Sequence, residues 1–489
     1  MQKIKLEREL KITHDCGGEF TLPDYVPAIG RMLSAECEPA PEGVYLKEAE
    51  GRGVEAELGG LAVFRILYIP EEGGSVHGVS VPCDYDTNVM IGAVSSPVIC
   101  RASTSPENVF CRVTAPRKVQ LRCRLGSRIT VLSASDADTG NEFPSDMEVK
   151  RGGVEAMALS CGASRDLLCS SELGGLPEDS TPVLCRASVN VTECRAVSVG
   201  EYRCRGEITV ETTYVRGDDV GTLRDRIGFD ETVPLDGDIP DETVPVRATG
   251  SVTSTELHTD DSGSRAEVVY ALEIEAVTPH TADVVYDAYS VSSPVAAEYD
   301  DMEYLSPTVC MTGNVSVNER IPKNASGRVC SVSARADLTG AAADHGKVRV
   351  TGELHGSALI IADGEYDVIP WSVPWSYEIP AASVEEDAAI AVWGTATVTS
   401  ISARADGELA VDAELSVSAT AAAVKRERVL SSAKPSGDAY PARTGFTVYY
   451  PSKAETVWDI AKHFHVPTSA VSAEGNLNPD GSPAGVVVI

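Results

Sequence analysis

The sequence predicts a mainly β protein, with three repeated antiparallel β-sandwich-like units followed by a small βααβ module at the carboxyl end. Three observations carry that expectation. Apolar and polar residues alternate in steps of two along much of the chain. Short stretches recur at domain-sized intervals. Over roughly the last 45 residues the apolar spacing changes to three and four, the helical period.

The first unit is read over residues 1–135. Its clearest strand is "QLRCRLGSRITV", where Leu121, Cys123 and Leu125 share one face and Arg122 and Arg124 the other. Residues 136–175 mix turn residues with one short apolar stretch and read as a linker or insertion. The second unit spans 176–295. In its "EYRCRGEITVE", Tyr202, Cys204, Ile208 and Val210 oppose Arg203, Arg205, Glu207 and Glu211. The third unit spans 300–425. There Val348, Val350 and Leu354 oppose Lys347, Arg349 and Glu353, and Leu409, Val411, Ala413, Leu415 and Val417 oppose Asp412 and Glu414. One buried face per strand is the signature of antiparallel sheets that cover a core on one side. Residues 430–444, rich in Pro, Gly and Ser, read as a flexible tether, and 445–489 as the terminal module.

Two sets of echoes define the repeat. "SSPVICRAST" at 95, "STPVLCRASV" at 180 and "LSPTVCMTGN" at 305 nearly copy one another. The first is expected in the closing half of unit one, the other two at the openings of units two and three. A second element begins at Val81-Pro82, Val233-Pro234 and Val373-Pro374.

In the terminal stretch "AETVWDIAKHF", Val457, Ile460, Ala461 and Phe464 fall at i, i+3, i+4 and i+7, one apolar helical face. Glu455 and Thr456 supply an acid and a cap at its start. Pro467-Thr468 opens a second short helix, "TSAVSAE", ended by Gly475. "GFTVYY" and "AGVVVI" flank the pair as strands. The stretch resembles a LysM domain through Phe446-Thr447-Val448, Ala454-Glu455-Thr456-Val457, Trp458-Asp459-Ile460-Ala461, Asn476 and Gly485 to Ile489. That resemblance implies two ligand loops, Pro451, Ser452, Lys453, Ala454 and Glu455 in one and Gly475, Asn476, Leu477, Asn478 and Pro479 in the other. LysM domains commonly bind the N-acetylglucosamine backbone of peptidoglycan or chitin there. Where the LysM pattern has glycine this chain has Ala454, whose Cβ removes access to positive φ and close backbone approach.

The segment "FTLPDYVPAIGRMLSAE" at 20–36 is similar to the start of the SPOCS domain, a repeated β-rich domain of spore-forming Firmicutes. SPOCS units followed by LysM resemble a family of sporulation proteins that join the forming coat to the forespore surface. The resemblance implies a structural adaptor in the mother-cell cytoplasm whose LysM module contacts the coat-basement ATPase SpoIVA. The alternative it leaves is a peptidoglycan-binding protein of the spore or cell wall.

The bulk numbers fit a docking protein. A formal net charge of −32 over 489 residues repels phosphate backbones and anionic lipid, so neither nucleic acid nor membrane is an expected partner. No apolar run has signal-peptide or membrane-span length, which predicts a cytosolic chain whose 13 cysteines are thiols. Without a Cys-x-x-Cys pair no metal site or cofactor is expected, and Cys123 and Cys204 read as buried small apolar residues. His14, His463 and His465 read as solvated or partly packed, residues 258–263 as a solvated hairpin loop, Trp458 as core, and Trp371 and Trp375 as packing at a domain edge. Asn190, Asn314 and Asn324 match glycosylation sequons that a cytosolic chain never uses. The motifs His-Glu-x-x-His, Gly-x-Ser-x-Gly and Gly-x-x-x-x-Gly-Lys-Ser/Thr are all missing from the sequence, so no enzyme is expected.

Overall fold

The computed structural model describes residues 2–49, 53–94, 98–136, 143–144, 146–235, 246–260, 263–381, 384–441, 445–452, 455–472, 478, 482–483 and 485–489. They form antiparallel sheets almost throughout, and among them no helix is long and apolar enough to cross a membrane. Six strands come first: β1 (Gln2–Thr21), β2 (Ile29–Ala49), β3 (Gly53–Pro70), β4 (His77–Gly92), β5 (Val98–Ala115) and β6 (Lys118–Asp136). They make two three-stranded sheets, β1-β6-β5 and β2-β3-β4. The next six are β7 (Met147–Glu172), β8 (Thr181–Ser198), β9 (Glu201–Arg216), β10 (Asp219–Pro234), β11 (Val246–Asp260) and β12 (Gly263–Ser290). Their sheets are β7-β12-β11 and β8-β9-β10.

Four more strands follow, two of them long: β13 (Val295–Asp344), β14 (Lys347–Ala362), β15 (Glu365–Pro380) and β16 (Ile390–Pro435), in the sheet order β15-β14-β13-β16. β13 changes partner along its length, pairing with β16 up to Gly327 and with β14 from Arg328. Gly327 sits at φ +132°, and a Cβ there would collide with the Ile361 carbonyl, so the crossing requires glycine. β16 doubles back at Gly407 (φ +86°), where the Thr399 hydroxyl donates to the Glu414 carbonyl at 3.1 Å. With the halves of β13 and β16 counted separately, each group has its first strand beside its last, its fifth beside its last, and its second, third and fourth in a meander.

The Val-Pro echo lies at the passage from fourth to fifth strand in every group: β4 to β5, β10 to β11 and β15 to β16. The Ser-Pro-Val-Cys echo does not mark equivalent places. It falls on β5, on β8 (a second strand, not an opening one) and in the first half of β13. The expected linker at 136–175 is also corrected, because 147–172 is β7, paired with β12 along its length. Its glycines broke the alternation, yet they are close-approach sites and not turns. A Cβ at Gly152 would press on the Tyr286 ring at 2.6 Å, and one at Gly162 would strike the Pro234 carbonyl. Asp166, at φ +57°, sits in a bulge where β7 shifts register against β12. The expected tether at 430–444 is shorter as well. Residues up to Pro435 belong to β16, and the amides of Ser436 and Tyr440 donate to the carbonyls of Pro294 and Ser292. Residues 442–444 lie outside the described ones.

Each group closes its own core on the faces the alternation marked. Leu121, Cys123 and Leu125 are buried with Phe64 and Tyr68, Tyr202, Cys204, Ile208 and Val210 with Tyr270, and Val348, Val350 and Leu354 with Leu409 to Val417. Trp371 and Trp375, expected at a domain edge, lie inside the third core at 4% exposure each. Their indoles cover Gly356 and Gly352, and a side chain on either glycine would collide with the ring above it.

The three groups join into a ring. β11 lies against β2, β16 against β8, and Arg335 of β13 donates to the Pro106 carbonyl of β5. Two apolar clusters draw on all three groups, one around Leu132, Met157, Leu305 and Trp393, the other around Leu67, Leu184, Val215, Leu359 and Tyr366. At one three-way junction Glu275, 2% exposed, accepts from Trp393 Nε1 at 2.9 Å and Thr420 Oγ1 at 2.6 Å and pairs with Arg247 (3.4 Å) and Arg101 (3.3 Å). Burial alone would raise this carboxyl, but the fields of Arg247 and Arg101 outweigh it and hold it below its ordinary range.

Candidate functional site

The carboxyl-terminal module is built on β17 (Val448–Tyr449), helix α1 (Val457–Phe464), a 3-10 turn (Thr468–Ala470) and β18 (Val487–Val488). Helix α1 begins where the sequence placed it. Thr456 is its N-cap, Thr456 Oγ1 accepting from the Asp459 amide at 3.3 Å while the Asp459 carboxylate accepts from the Thr456 amide at 2.9 Å. It ends at His465, whose left-handed φ of 52° turns the chain out. Ile460 and Ala461 are fully buried and Val457 and Phe464 pack beside them. The expected second helix is a single 3-10 turn, because Val471 is extended and buried and Ser472 leaves to bridge Val488. The module therefore lacks the second α-helix of a βααβ unit among the described residues.

The module is seated on the middle group of strands. Asp287, near the end of β12, accepts from Trp458 Nε1 at 3.0 Å, from Lys462 Nζ at 2.6 and 2.8 Å and from the Tyr299 hydroxyl at 2.9 Å. Trp458 and Lys462 are four apart, one above the other on α1. Burial would raise the Asp287 carboxyl; the bonds from Lys462, Trp458 and Tyr299 bring it below its ordinary value instead. Tyr289 packs edge-on against Trp458 at 5.0 Å and donates to the Val466 carbonyl at 2.8 Å, and Thr468 Oγ1 donates to Glu148 at 2.9 Å. His465, read as solvated or partly packed, stacks on Tyr440 at 3.9 Å. Trp458, read as core, is partly buried in the seat.

The opposite face of the module is open and apolar. Val448 pairs with Val488 and Tyr449 with Val487, so successive residues alternate between helix and solvent. Tyr449, Val487 and Ile489 face the helix. Phe446 (79% exposed), Val448, Tyr450 (75%), Val486 and Val488 face outward. Five of the large exposed apolar residues thus gather on one two-stranded surface, where single scattered ones would need no account.

Of the expected ligand loops, Lys453, Ala454, Gly475, Asn476, Leu477 and Pro479 lie outside the described residues. Glu455 accepts from the Ser452 amide at 2.7 Å and from the Tyr449 hydroxyl at 3.0 Å, and these bonds hold its carboxyl below the usual range. Pro451 and Ser452 complete that turn. Asn478 closes a second turn, its amide donating to the Ser482 carbonyl at 2.8 Å. The Glu455 carboxylate, the Ser452 amide and the Asn478 amides are thus bonded within the module.

A cavity of about 990 Å³, not signalled by the sequence, lies in the middle of the ring, lined chiefly by second and fifth strands of all three groups. Several of its charges are matched: Arg186 with Glu36, Arg65 with Glu38, Arg224 with Glu211 at 2.8 Å and Arg335 with Asp337 at 2.8 Å. Burial would raise Glu36, but the Arg186 guanidinium and the Ser357 hydroxyl overcome it and lower its carboxyl. The Arg186–Glu36 pair joins the second group to the first, and Arg65, Arg224 and Arg335 also donate to the carbonyls of Cys185, Ile401 and Pro106 on neighbouring groups, so these contacts tie the ring together. Comparison of the chain with family models, with curated proteins and with solved structures finds no match.

Proposed function

We propose that this chain is a non-enzymatic structural adaptor of the spore coat and envelope, similar to SipL-like proteins. It carries a docking module on a rigid ring of three SPOCS-like units. The outward apolar face of Phe446, Val448, Tyr450, Val486 and Val488 is the observation that supports this reading most. A surface of that kind suits a polypeptide partner with a complementary apolar patch. The resemblances at 20–36 and 446–489 make a SpoIVA-like coat ATPase the partner, at the forespore surface in the mother cell. Glu455 and the Ser452 amide, bonded to each other, are not free to meet a sugar, which weighs against the peptidoglycan reading.

The test is retention of the full chain on immobilised SpoIVA-like ATPase and on purified peptidoglycan, with Val448→Asp/Tyr450→Asp beside the parent. The proposal expects retention on the ATPase alone, reduced at least tenfold by the double substitution. Retention on peptidoglycan alone would overturn it in favour of glycan binding.

A further inference from the structure

The first group of strands brings together three sulfurs that the sequence keeps far apart. Cys16 comes from β1, Cys37 from β2 and Cys123 from β6, and their Sγ atoms all lie within 4.8 Å of one another. All three are buried, at 7%, 4% and 0% exposure. Cys16 and Cys123 are direct partners across the β1–β6 ladder, while Cys37 reaches them from the facing sheet. A candidate fourth donor lies on the same strand as Cys16, outside the 4.8 Å group that the sulfurs form, so its ring would swing toward them on binding. His14 is two residues before Cys16 on β1, so both side chains leave the same face of the strand. Its ring lies 5.3 Å from that of Tyr85, and both of its nitrogens are buried without a hydrogen-bond partner among the described residues. A buried imidazole with two unmet polar atoms costs free energy that some contact must return.

We propose that Cys16, Cys37, Cys123 and His14 form a structural zinc site that pins the two sheets of the first unit together. Thiolate and imidazole donors select zinc among the common hard and soft cations, and a closed Cys3His set is a tetrahedral structural arrangement. Zinc–sulfur bonds of about 2.3 Å place sulfurs roughly 3.8 Å apart, so the trio contracts by ~1 Å at most. Charge favours the divalent ion. Three thiolates and a neutral imidazole around Zn²⁺ leave one negative charge in the core, whereas Cu⁺ would leave two. Cys83 turns its thiol to the Asp84 carbonyl at 3.5 Å, and His14, with both nitrogens unpartnered, is the fourth ligand of the proposed set. The three thiol protons pass to solvent on binding, and no redox change occurs.

The full chain, purified under reducing conditions and dialysed against micromolar zinc, is expected to hold about one zinc per chain by mass spectrometry. Replacement by cobalt is expected to give thiolate-to-cobalt charge transfer and the strong visible bands of a tetrahedral site, a readout on the unaltered chain that no misfolded variant can confuse. Cys37→Ser and His14→Ala should each lower zinc affinity at least tenfold, while Cys83→Ser and Cys169→Ser leave it unchanged. Less than about 0.1 zinc per chain, or an octahedral cobalt spectrum, would overturn the site. Loss of affinity in Cys83→Ser with none in His14→Ala would overturn the ligand set.

Discussion

Replacing Asp287 by alanine is expected to unseat the terminal module and, because its small core is shared with Tyr289 and Val291 of the ring, to let helix α1 open. The carboxylate accepts from Trp458, Lys462 and Tyr299, and all three donors lose their acceptor in the variant. Hydrogen bonds to a charged group contribute about 1.5–3 kcal/mol each. The Lys462 side chain is 42% exposed, so water takes over much of its share. A net loss of about 3 kcal/mol follows, roughly 150-fold in the ratio of seated to unseated module. Amide hydrogen exchange reads this directly: protection of the 457–464 amides should fall by about two orders of magnitude, with the amides of β9 unaffected. The same contact sets a pH dependence. The folded carboxyl lies below its unfolded value of about 3.9, so its stabilisation is complete above that pH and is lost as pH falls through the lower folded value. Unchanged protection in Asp287→Ala at neutral pH would refute the account of the seat.

Three further outcomes follow from particular contacts. Glu275→Gln leaves Arg247, 7% exposed, without its counter-charge at the three-way junction, and should lower unfolding free energy by about 3–5 kcal/mol in urea titrations. Gly352→Ala forces a methyl into the Trp375 indole and the Asp337 carbonyl, and should cost about 2–3 kcal/mol in the same titration. Thr456→Ala removes the capping box of α1 and should cost about 1 kcal/mol, seen as a roughly fivefold loss of exchange protection confined to the first turn of the helix.

Local patterns were legible in the sequence and distant ones were not. Leu121, Cys123 and Leu125, and Leu409 to Val417, announced their buried faces because strand alternation is local. Helix α1 was legible for the same reason, its cap and apolar stripe lying within about ten residues of one another. β7 was obscured because Gly152 and Gly162 look like turn signals when the packing partners, Tyr286 and Pro234, are far along the chain. The second helix was misread because the pull of Val488 on Ser472 is a tertiary contact that helix propensity does not contain. The ring and its cavity were invisible: Arg101 meets Glu275 and Trp458 meets Asp287 across more than 170 residues, and no spacing rule links such pairs. The thiol trio was hidden in the same way, since metal motifs are recognised by short spacings and these cysteines come from three strands.

In the proposed function the outward face of β17 and β18 is the docking surface. Amide exchange of the full chain, free and bound to a SpoIVA-like ATPase, tests it most directly. Protection gained at residues 446–450 and 486–489 is the predicted result. Protection gained only elsewhere on the ring, with those two segments unchanged in the complex, would contradict it.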